Sequence, residues 1–275
     1  MKTRIISAAA AIALLAVIVY LGGVAIGIAV SILAFIGIIE FYRALSKGGF
    51  KPAFALGCVS CIPLLYYAFS SILPERFLFK SADLGLAAAF FVFLLIVVLF
   101  CLIMFSDGKY EIKDAAVTLF GIAYVVLPLS FVTLTRNMDH GYLYMWMIFI
   151  GAWATDTFAY FTGVTIGKTK IVPKISPKKS LEGCIGGVVG CAAAMTAFGA
   201  YFNNILGVPL VHFAVIGLIC GVISQLGDWS ASVVKRAVGI KDYGNIMPGH
   251  GGVLDRVDSI LFTAPAVFFY ISMFF

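Results

Sequence analysis

The sequence predicts an all-α, polytopic integral membrane protein with about nine transmembrane helices. Three observations support this fold class. The mean hydropathy is +1.07, hydrophobic residues make up 62% of the chain, and charged residues make up only 12%. A soluble domain does not need that composition, but a chain that crosses a bilayer repeatedly does. The apolar runs are continuous rather than alternating, which favours helices over the strands of a membrane barrel.

Nine apolar segments predict the spans. The basic tip and apolar stretch at the start of the chain also fit a cleaved signal peptide, but the apolar run continues past Gly22 and Gly23. Two spans joined by a tight turn are therefore favoured there. The predicted spans cover residues 5–21, 24–41, 53–73, 86–105, 115–134, 143–163, 183–201, 209–233 and 259–275.

The spans divide into two regions by their content of polar residues. Residues 1–140 form a predicted scaffold of N-terminal transmembrane helices, with candidate oligomer contacts. Residues 141–275 form the predicted catalytic region, which contains the two long polar loops at residues 164–182 and 234–258. Functional residues are therefore expected mainly in the C-terminal half of the chain.

The distribution of basic residues predicts the orientation of the chain. Sixteen of the 19 lysines and arginines lie in the N-terminus or in the connections after spans two, four, six and eight. The positive-inside rule makes this side cytoplasmic. We therefore expect the N-terminus and both long loops inside the cell and the C-terminus outside. The formal net charge of +6 follows from this topology and requires no nucleic-acid partner.

Cysteine and histidine residues form no recognisable metal or redox motif in the sequence. The six cysteines lie in or beside apolar stretches, where cysteine commonly serves as a small apolar residue. Cys58 and Cys61 form a CxxC pair, but no second pair and no βαβ pattern accompany them. The three histidines are scattered through the chain, which argues against a zinc site.

Two aspartates lie within predicted spans, where ionisable residues are energetically unfavourable and usually functional. Asp156 lies in the sixth span, and Asp228 lies near the cytoplasmic end of the eighth. Ser224, Asp228 and Ser232 are spaced i, i+4, i+8. Lys235 follows on the same face, so the pattern predicts one polar stripe on an apolar helix. A buried polar contact between helices is the alternative, although serine or asparagine would form it more easily.

The loop at residues 164–182 contains five lysines and one glutamate. Such a loop can simply fix topology or contact anionic lipid headgroups. Its segment SPKKS, however, places two lysines between hydroxyl groups that can donate to phosphate oxygens, directly before the positive end of the next helix. The candidate binding residues are Ser176, Lys178, Lys179 and Ser180.

The first residues of this loop belong to the segment GVTIGKT, which superficially resembles a Walker A motif. That motif requires four residues between its first glycine and the GK pair, whereas three residues separate Gly163 from Gly167. A β-strand before the motif is also implausible in a membrane span. We therefore reject a P-loop here.

The loop at residues 234–258 combines basic residues with glycines. Gly249, Gly251 and Gly252 allow the backbone to turn sharply or to approach a ligand closely. A structural network of salt bridges would use the same charged residues, but it would not need the glycines. The basic candidates are Lys235, Arg236, Lys241 and Arg256.

The same loop ends in two aspartates, Asp255 and Asp258, which lie three residues apart at the start of the last predicted helix. Both can face the same side of that helix. Simple helix capping explains Asp258 nearly as well. Asp228 and Asp255 lie at the cytoplasmic ends of consecutive antiparallel helices, so we expect them to meet. Two carboxylates among basic residues suit a Mg²⁺ that is also bound to phosphate oxygens.

From Ser232 to Asp258 the sequence reads SVVKRAVGIKDYGNIMPGHGGVLDRVD. This stretch resembles the signature of the phosphatidate cytidylyltransferases, the CDP-diacylglycerol synthases. The DxxAY pattern that begins at Asp156 and the SPKKSLEG segment that begins at Ser176 are similar to the same family. The resemblance is strong over roughly residues 150–260, whereas residues 1–140 share only the hydrophobic layout.

The resemblance implies a nucleotidyltransferase that converts CTP and phosphatidate to CDP-diacylglycerol and pyrophosphate and requires Mg²⁺. It implies that Asp228 and Asp255 bind the Mg²⁺, with Asp156 and Asp258 as further candidate ligands. A second, monovalent cation such as K⁺ is expected by the same analogy. The lipid phosphate is already anionic near neutral pH, so no strong general base is needed.

The basic residues are then assigned to the two anionic substrates as a hypothesis. Lys178, Lys179 and Lys241 are candidates for the CTP phosphates or the leaving pyrophosphate. Lys235 and Arg256 are candidates for the phosphatidate headgroup. His250 can donate to a phosphate, and the neighbouring glycines can offer backbone amides. The predicted binding set also includes Ser176, Ser180, Arg236, Gly251 and Gly252.

Two other functions would use similar residues. A CTP-dependent polyprenol or lipid kinase would transfer the γ-phosphoryl group and release CDP. An ion or metabolite transporter would also carry intramembrane aspartates, but transporters commonly show paired repeats, which we do not find in this sequence. A short chain without extra domains indicates a bacterial cytoplasmic membrane, and a homodimer is left open.

Asp228→Asn and Asp255→Asn should each abolish nucleotidyl transfer and leave membrane insertion intact, because a neutral amide is a poorer Mg²⁺ ligand than a carboxylate. Turnover at saturating Mg²⁺, measured on protein recovered from the membrane fraction, tests this prediction. Near-wild-type turnover in either variant would contradict the metal assignment.

Overall fold

A computed structural model describes residues 15, 17–70, 73, 81–173, 175–246 and 251–275, except for the side chains of residues 81–84. The described residues form helices and connecting loops without a β-strand among them, and Lys170 and Ser180 form an isolated antiparallel bridge. The predicted all-α class is therefore confirmed. The helices are α1 Gly23–Lys47, α2 Phe54–Val59, α3 Ile62–Phe69, α4 Ser81–Phe105, α5 Ile112–Gly121, α6 Leu127–Arg136, α7 Gly141–Thr165, α8 Leu181–Leu206, α9 Leu210–Ala237, α10 Leu254–Val257 and α11 Ile260–Phe274.

Five helical segments within the described residues are long and apolar enough to cross a bilayer, which makes the chain a polytopic membrane protein. They are Gly23–Lys47, Gly85–Phe105, Ile112–Arg136, Leu181–Leu206 and Leu210–Ala237. Helix α7 has 25 residues but is not among the five, because its tyrosines, threonines and Asp156 lower its hydropathy. It packs closely against α8.

Two predicted spans need comment. Most of residues 5–21 lie outside the described part of the chain, but residues 17–21 are helical and Gly22 has a φ of 98°, as a tight turn requires. The prediction of one continuous span at 53–73 is wrong, because residues 54–69 form two short helices. Pro63 lies in the first turn of α3, where proline disrupts a helix that arrives from the N-terminal side.

A π-helical turn at Ile122–Val126 joins α5 to α6. Pro128 follows it directly and cannot donate a backbone hydrogen bond. The wider turn accommodates this loss, and the amide of Leu127 bonds to the carbonyl of Ile122, five residues earlier. The turn places Tyr124 in the buried core against Phe41 of α1, with ring centroids 5.4 Å apart.

Helices α8 and α9 approach each other closely through small residues. A Cβ atom on Gly217 would lie 2.6 Å from the Cα of Ala192, and one on Gly221 would lie 2.7 Å from the Cα of Val188. Such close approach is typical of helix pairs in membranes. It brings the C-terminal half of α9 beside the start of α8, where the basic loop at residues 166–180 ends.

The N-terminal helices belong to the same core as the C-terminal ones. Helix α1 contributes the fully buried side chains of Ile38, Phe41 and Tyr42 to a cluster that also contains Leu254 and Leu261. It packs against α3, α6 and α10. The two predicted regions, 1–140 and 141–275, are therefore joined by an extensive apolar contact.

Gly217→Ala should destabilise the protein by about 1–3 kcal/mol, because the new methyl group would meet backbone atoms that cannot move aside. The midpoint of thermal unfolding in detergent measures this change. Gly85→Ala is the matched control, since a Cβ at Gly85 meets nothing within 4 Å. Equal midpoints for the two variants would contradict the close contact between α8 and α9.

Candidate active site

Contacts between helix ends gather the predicted site at one end of the bundle. Lys179, just before α8, forms an ion pair with Asp228 near the end of α9. Lys235, in the last turn of α9, forms an ion pair with Asp255 of α10. The two long polar loops therefore lie on the same side of the protein, as the predicted topology requires.

A cavity of about 520 Å³ lies between α7, α8, α9 and the loop at residues 166–180. This volume is within the range of small-molecule sites, about 300–1,000 Å³. Three of its charged lining residues are lysines and one is an aspartate, so its walls carry a net positive charge. The polar and charged lining residues include Asp156, Lys170, Ser176, Lys178, Lys179, Ser180 and Gln225.

Lys179 is one of the residues that line this cavity, and its ammonium group has two neighbours on α9. It contacts a carboxylate oxygen of Asp228, and it lies 5.5 Å from the centroid of the Trp229 ring. Both charged side chains keep about a quarter of their surface accessible, at 25% for Lys179 and 29% for Asp228. The pair is therefore open enough to exchange partners when an anion or a cation enters.

Three carboxylates lie close enough to repel one another. Asp156 interacts electrostatically with Asp228, and its side chain opens onto the cavity. Asp258 lies in the turn between α10 and α11, and burial together with repulsion from Asp228 raises the pKa of Asp258 to about 7. A Cβ atom on Gly227 would lie 2.6 Å from the carbonyl oxygen of Asp258, so this turn packs directly on α9 beside Asp228.

Asp255 has a different environment. It is 7% exposed, and its Oδ1 accepts a hydrogen bond from Lys235 Nζ at 2.7 Å. Its Oδ2 accepts from the backbone amides of Tyr243 at 2.8 Å and Gly252 at 3.0 Å. Both carboxylate oxygens therefore hold the loop in place. Of the two aspartates at this helix start, Asp258 is the one whose turn packs on α9 beside Asp228.

The carboxylates of this site suit a Mg²⁺ that is bound by only one or two of them. No group of three or more acidic, histidine or cysteine side chains in the described residues is arranged to enclose a metal. Mg²⁺ commonly takes only one or two protein carboxylates and completes its shell with water and phosphate oxygens. Asp228, with Asp156 or Asp258 nearby, suits that mode, and the contact with Lys179 shows that Asp228 can hold a cationic group.

The remaining predicted residues have varied surroundings. Ser180 is buried and caps α8, since its hydroxyl accepts from the amide of Gly183 at 3.2 Å.

Three of the predicted basic residues of the second loop are exposed. Arg236 donates to the carbonyl of Ile240 at 3.2 Å. Lys241 is also exposed. Arg256 is exposed and interacts electrostatically with Asp156. His250 lies outside the described residues.

Gly251 and Gly252 of the second loop approach protein carboxylates. Gly251 has a φ of 84°, and a Cβ there would lie 2.9 Å from Asp255 Oδ2. A Cβ on Gly252 would lie 2.5 Å from an oxygen of Glu40. The close backbone approach that the sequence predicts is therefore present, and within the described residues it is made to Asp255 and Glu40.

Comparison with known proteins identifies the family of this chain. A model of the cytidylyltransferase family matches residues 2–274. The chain belongs to the cytidylyltransferase family. It is similar to the phosphatidate cytidylyltransferase of Bacillus subtilis, with 33% identity over 204 residues, 74% of this chain and 75% of that protein. It is 32% identical to the phosphatidate cytidylyltransferase of Synechocystis over 98% of this chain and 96% of that one. The Staphylococcus saprophyticus relative of the same name is 33% identical over 96% of each chain.

Two residues of this cytidylyltransferase were missed by the sequence analysis because they lie in the N-terminal half. Glu40 of α1 bonds to the backbone at the start of α10. The hydroxyl of Tyr124 is buried without a hydrogen-bond partner and interacts electrostatically with Asp258 and Asp228. A signal existed for Glu40, which is an acidic residue inside a predicted span. Tyr124 gave no such signal, because tyrosine is common in this chain.

Lys235→Met should destabilise the protein by about 3 kcal/mol, because it would leave the Asp255 carboxylate buried without its ionic partner. The midpoint of unfolding in detergent measures the change, and Lys241→Met is the exposed control. Combining Lys235→Met with Asp255→Asn should recover part of the loss, since the uncompensated charge is removed. If the destabilisation of the double variant equals the sum for the two single variants, the proposed dependence of Asp255 on Lys235 is wrong.

Proposed function

We propose that this protein is a phosphatidate cytidylyltransferase, which joins CTP and phosphatidate to give CDP-diacylglycerol and pyrophosphate. The observation that carries the proposal is the cavity lined by three lysines, one of which, Lys179, forms an ion pair with Asp228. A cavity of this charge suits a polyphosphate, and carboxylates beside it suit the cation that accompanies one. The names of the aligned relatives agree with this substrate pair.

The loop at residues 166–180 is the proposed site for the CTP phosphates. Lys170, Lys178 and Lys179 line the cavity; the first two are exposed and Lys179 is half-buried. The loop is held in shape by Glu182, whose carboxylate accepts hydrogen bonds from the amides of Lys168 at 3.0 Å and Thr169 at 3.1 Å. The lysines are therefore presented on a fixed loop, which reduces the ordering needed when the triphosphate binds.

The second substrate is a lipid, and one cavity wall supports its entry from the bilayer. Tyr160 and Val164 of α7 line the cavity, yet they are 65% and 68% exposed. Apolar side chains exposed on a membrane-spanning bundle face the acyl chains of lipids. The cavity therefore borders both the aqueous loops and the bilayer, as a reaction between CTP and a phospholipid requires.

The cation sites belong to the same proposal. A bound Mg²⁺ would neutralise phosphate charge and polarise the α-phosphate of CTP. Asp228 would hold it, with Asp255, Asp156 and Asp258 as candidate further ligands. A second, monovalent cation such as K⁺ has a candidate oxygen ligand in Ser224, one helical turn before Asp228, because its buried hydroxyl has no hydrogen-bond partner among the described residues.

The reaction needs charge neutralisation and positioning more than proton transfer. An anionic phosphate oxygen of phosphatidate forms a new bond to the α-phosphorus of CTP, and the bond from that phosphorus to the α–β bridging oxygen breaks. Pyrophosphate leaves with the electron pair of the broken bond. Lys178 and Lys179 would stabilise the charge that develops on it, while Arg256 and Lys235 would orient the lipid phosphate.

The orientation of the site in the membrane is part of the proposal. The end of the bundle that carries Lys179, Lys235 and Asp255 is the end with the basic loops, and the positive-inside rule places it in the cytoplasm. CTP is made and used there, so the active site would face its soluble substrate. The N-terminus would then lie inside and the C-terminus outside.

Purified protein in detergent should transfer label from cytosine-labelled CTP into the lipid phase when phosphatidate and Mg²⁺ are present. Pyrophosphate should appear in equal amount, and removal of Mg²⁺ by a chelator should stop both. A Lys178→Gln, Lys179→Gln double variant should raise the KM for CTP by about tenfold or more, because two charge-assisted contacts to phosphate are lost.

Lys109→Gln is the control, since this lysine lies at the turn between α4 and α5, away from the cavity lining. Release of CDP instead of pyrophosphate would identify a lipid kinase. Absence of lipid label from folded protein would overturn the proposed function.

A further inference from the structure

Glu40 is a buried carboxylate in the N-terminal region. It lies near the end of α1 and is only 3% exposed. Its Oε1 accepts a hydrogen bond from the amide of Val253 at 3.1 Å, and its Oε2 accepts from the amide of Leu254 at 2.8 Å. Among the described residues no lysine, arginine or histidine forms an ion pair with Glu40. The negative charge is therefore stabilised mainly by backbone amides.

Two glycines of the second long loop enclose this carboxylate. A Cβ atom on Gly244 would lie 2.4 Å from Glu40 Oε1, and a Cβ atom on Gly252 would lie 2.5 Å from the same oxygen. Any larger residue at either position would displace the carboxylate or the loop. The two segments of the loop that contain Gly244 and Gly252 therefore both pack against the Glu40 side chain, which comes from the N-terminal half of the protein.

The residues that Glu40 holds are those that place the site aspartates. Val253 and Leu254 immediately precede Asp255, and the amide of the preceding Gly252 bonds to Asp255 Oδ2 at 3.0 Å. Glu40 and Asp255 thus accept hydrogen bonds from three consecutive amides, those of Gly252, Val253 and Leu254. Asp258 follows one helical turn later and packs beside Asp228 on α9.

We propose that Glu40 is a positioning residue, which fixes the start of α10 so that Asp255 keeps its bonds to the loop and Asp258 is presented beside Asp228 for cation binding. The proposal rests on the function proposed above for its effect on catalysis, but its structural part is independent of that function. Two buried amides would lose their acceptors without Glu40, and buried unsatisfied amides are strongly unfavourable. The turn would then rearrange, and the aspartates would move with it.

The first test is the dependence of activity on Mg²⁺ in Glu40→Gln. The glutamine keeps the shape of the side chain, but its NH₂ group faces an amide that needs an acceptor. We expect the Mg²⁺ concentration for half-maximal rate to rise about tenfold, because the ligands are no longer pre-arranged. A purely structural role would lower the amount of folded enzyme and leave this concentration unchanged.

The second test needs neither metal nor substrate. Hydrogen exchange of the backbone amides in a peptide covering residues 251–257 should become about tenfold faster in Glu40→Gln, because local opening is easier when an acceptor is lost. Ser31→Ala is the matched control for both tests. Ser31 lies on the same helix, is 4% exposed, and its hydroxyl bonds only within α1, to the carbonyl of Gly27 at 2.8 Å.

Glu40→Asp and Gly244→Ala keep the proposal testable if Glu40→Gln does not fold. Glu40→Asp shortens the side chain by one methylene group, so its carboxylate lies farther from the amides. Gly244→Ala adds a methyl group that would collide with the carboxylate. Each variant should therefore raise both the amide exchange rate and the Mg²⁺ concentration for half-maximal rate. An unchanged exchange rate or an unchanged Mg²⁺ requirement in folded, active variants would overturn the proposal. An inactive wild-type protein would refute the proposed function instead, and the exchange measurement would still decide the role of Glu40.

Discussion

The buried ion pair between Lys235 and Asp255 is the interaction on which the site end of this protein depends. A carboxylate in an apolar bundle is unstable unless each oxygen has a partner. Asp255 meets this requirement with one ammonium group and two backbone amides, which come from α9 and from two segments of the following loop. The loop therefore has a defined shape because a buried charge must be satisfied.

Glu40 extends the same constraint to the N-terminal half. Its carboxylate accepts hydrogen bonds from the backbone amides at the start of α10. A loop that would otherwise be only a connection between two spans is thus held by two carboxylates from different helices. This arrangement leaves Asp228 and Lys179 as the more accessible charged pair, facing a cavity that can admit an anion. The buried charges of Asp255 and Glu40 stabilise the loop, whereas the more accessible Lys179 and Asp228 are available to exchange partners.

Much of the fold was predictable because membrane spans are determined locally. A helix of about 20 apolar residues satisfies its own backbone hydrogen bonds, so hydropathy alone locates it. The expected spans at 24–41, 183–201 and 209–233 begin within two residues of α1, α8 and α9 and end four to six residues before them. The break inside residues 53–73 was not predicted, because hydropathy does not register the effect of Pro63 on helix continuity.

The sequence by itself determined the membrane class, the family and the candidate chemistry, since hydrophobic runs and a dense local motif are visible without a fold. Only the tertiary structure decided which charges become partners. It paired Lys179 with Asp228, enclosed Asp255 with Lys235, and brought Asp258 to α9. It also brought Glu40 to a loop more than two hundred residues away in the chain. Such pairings depend on how helices pack, and packing joins residues whose separation in sequence carries no sign of their contact.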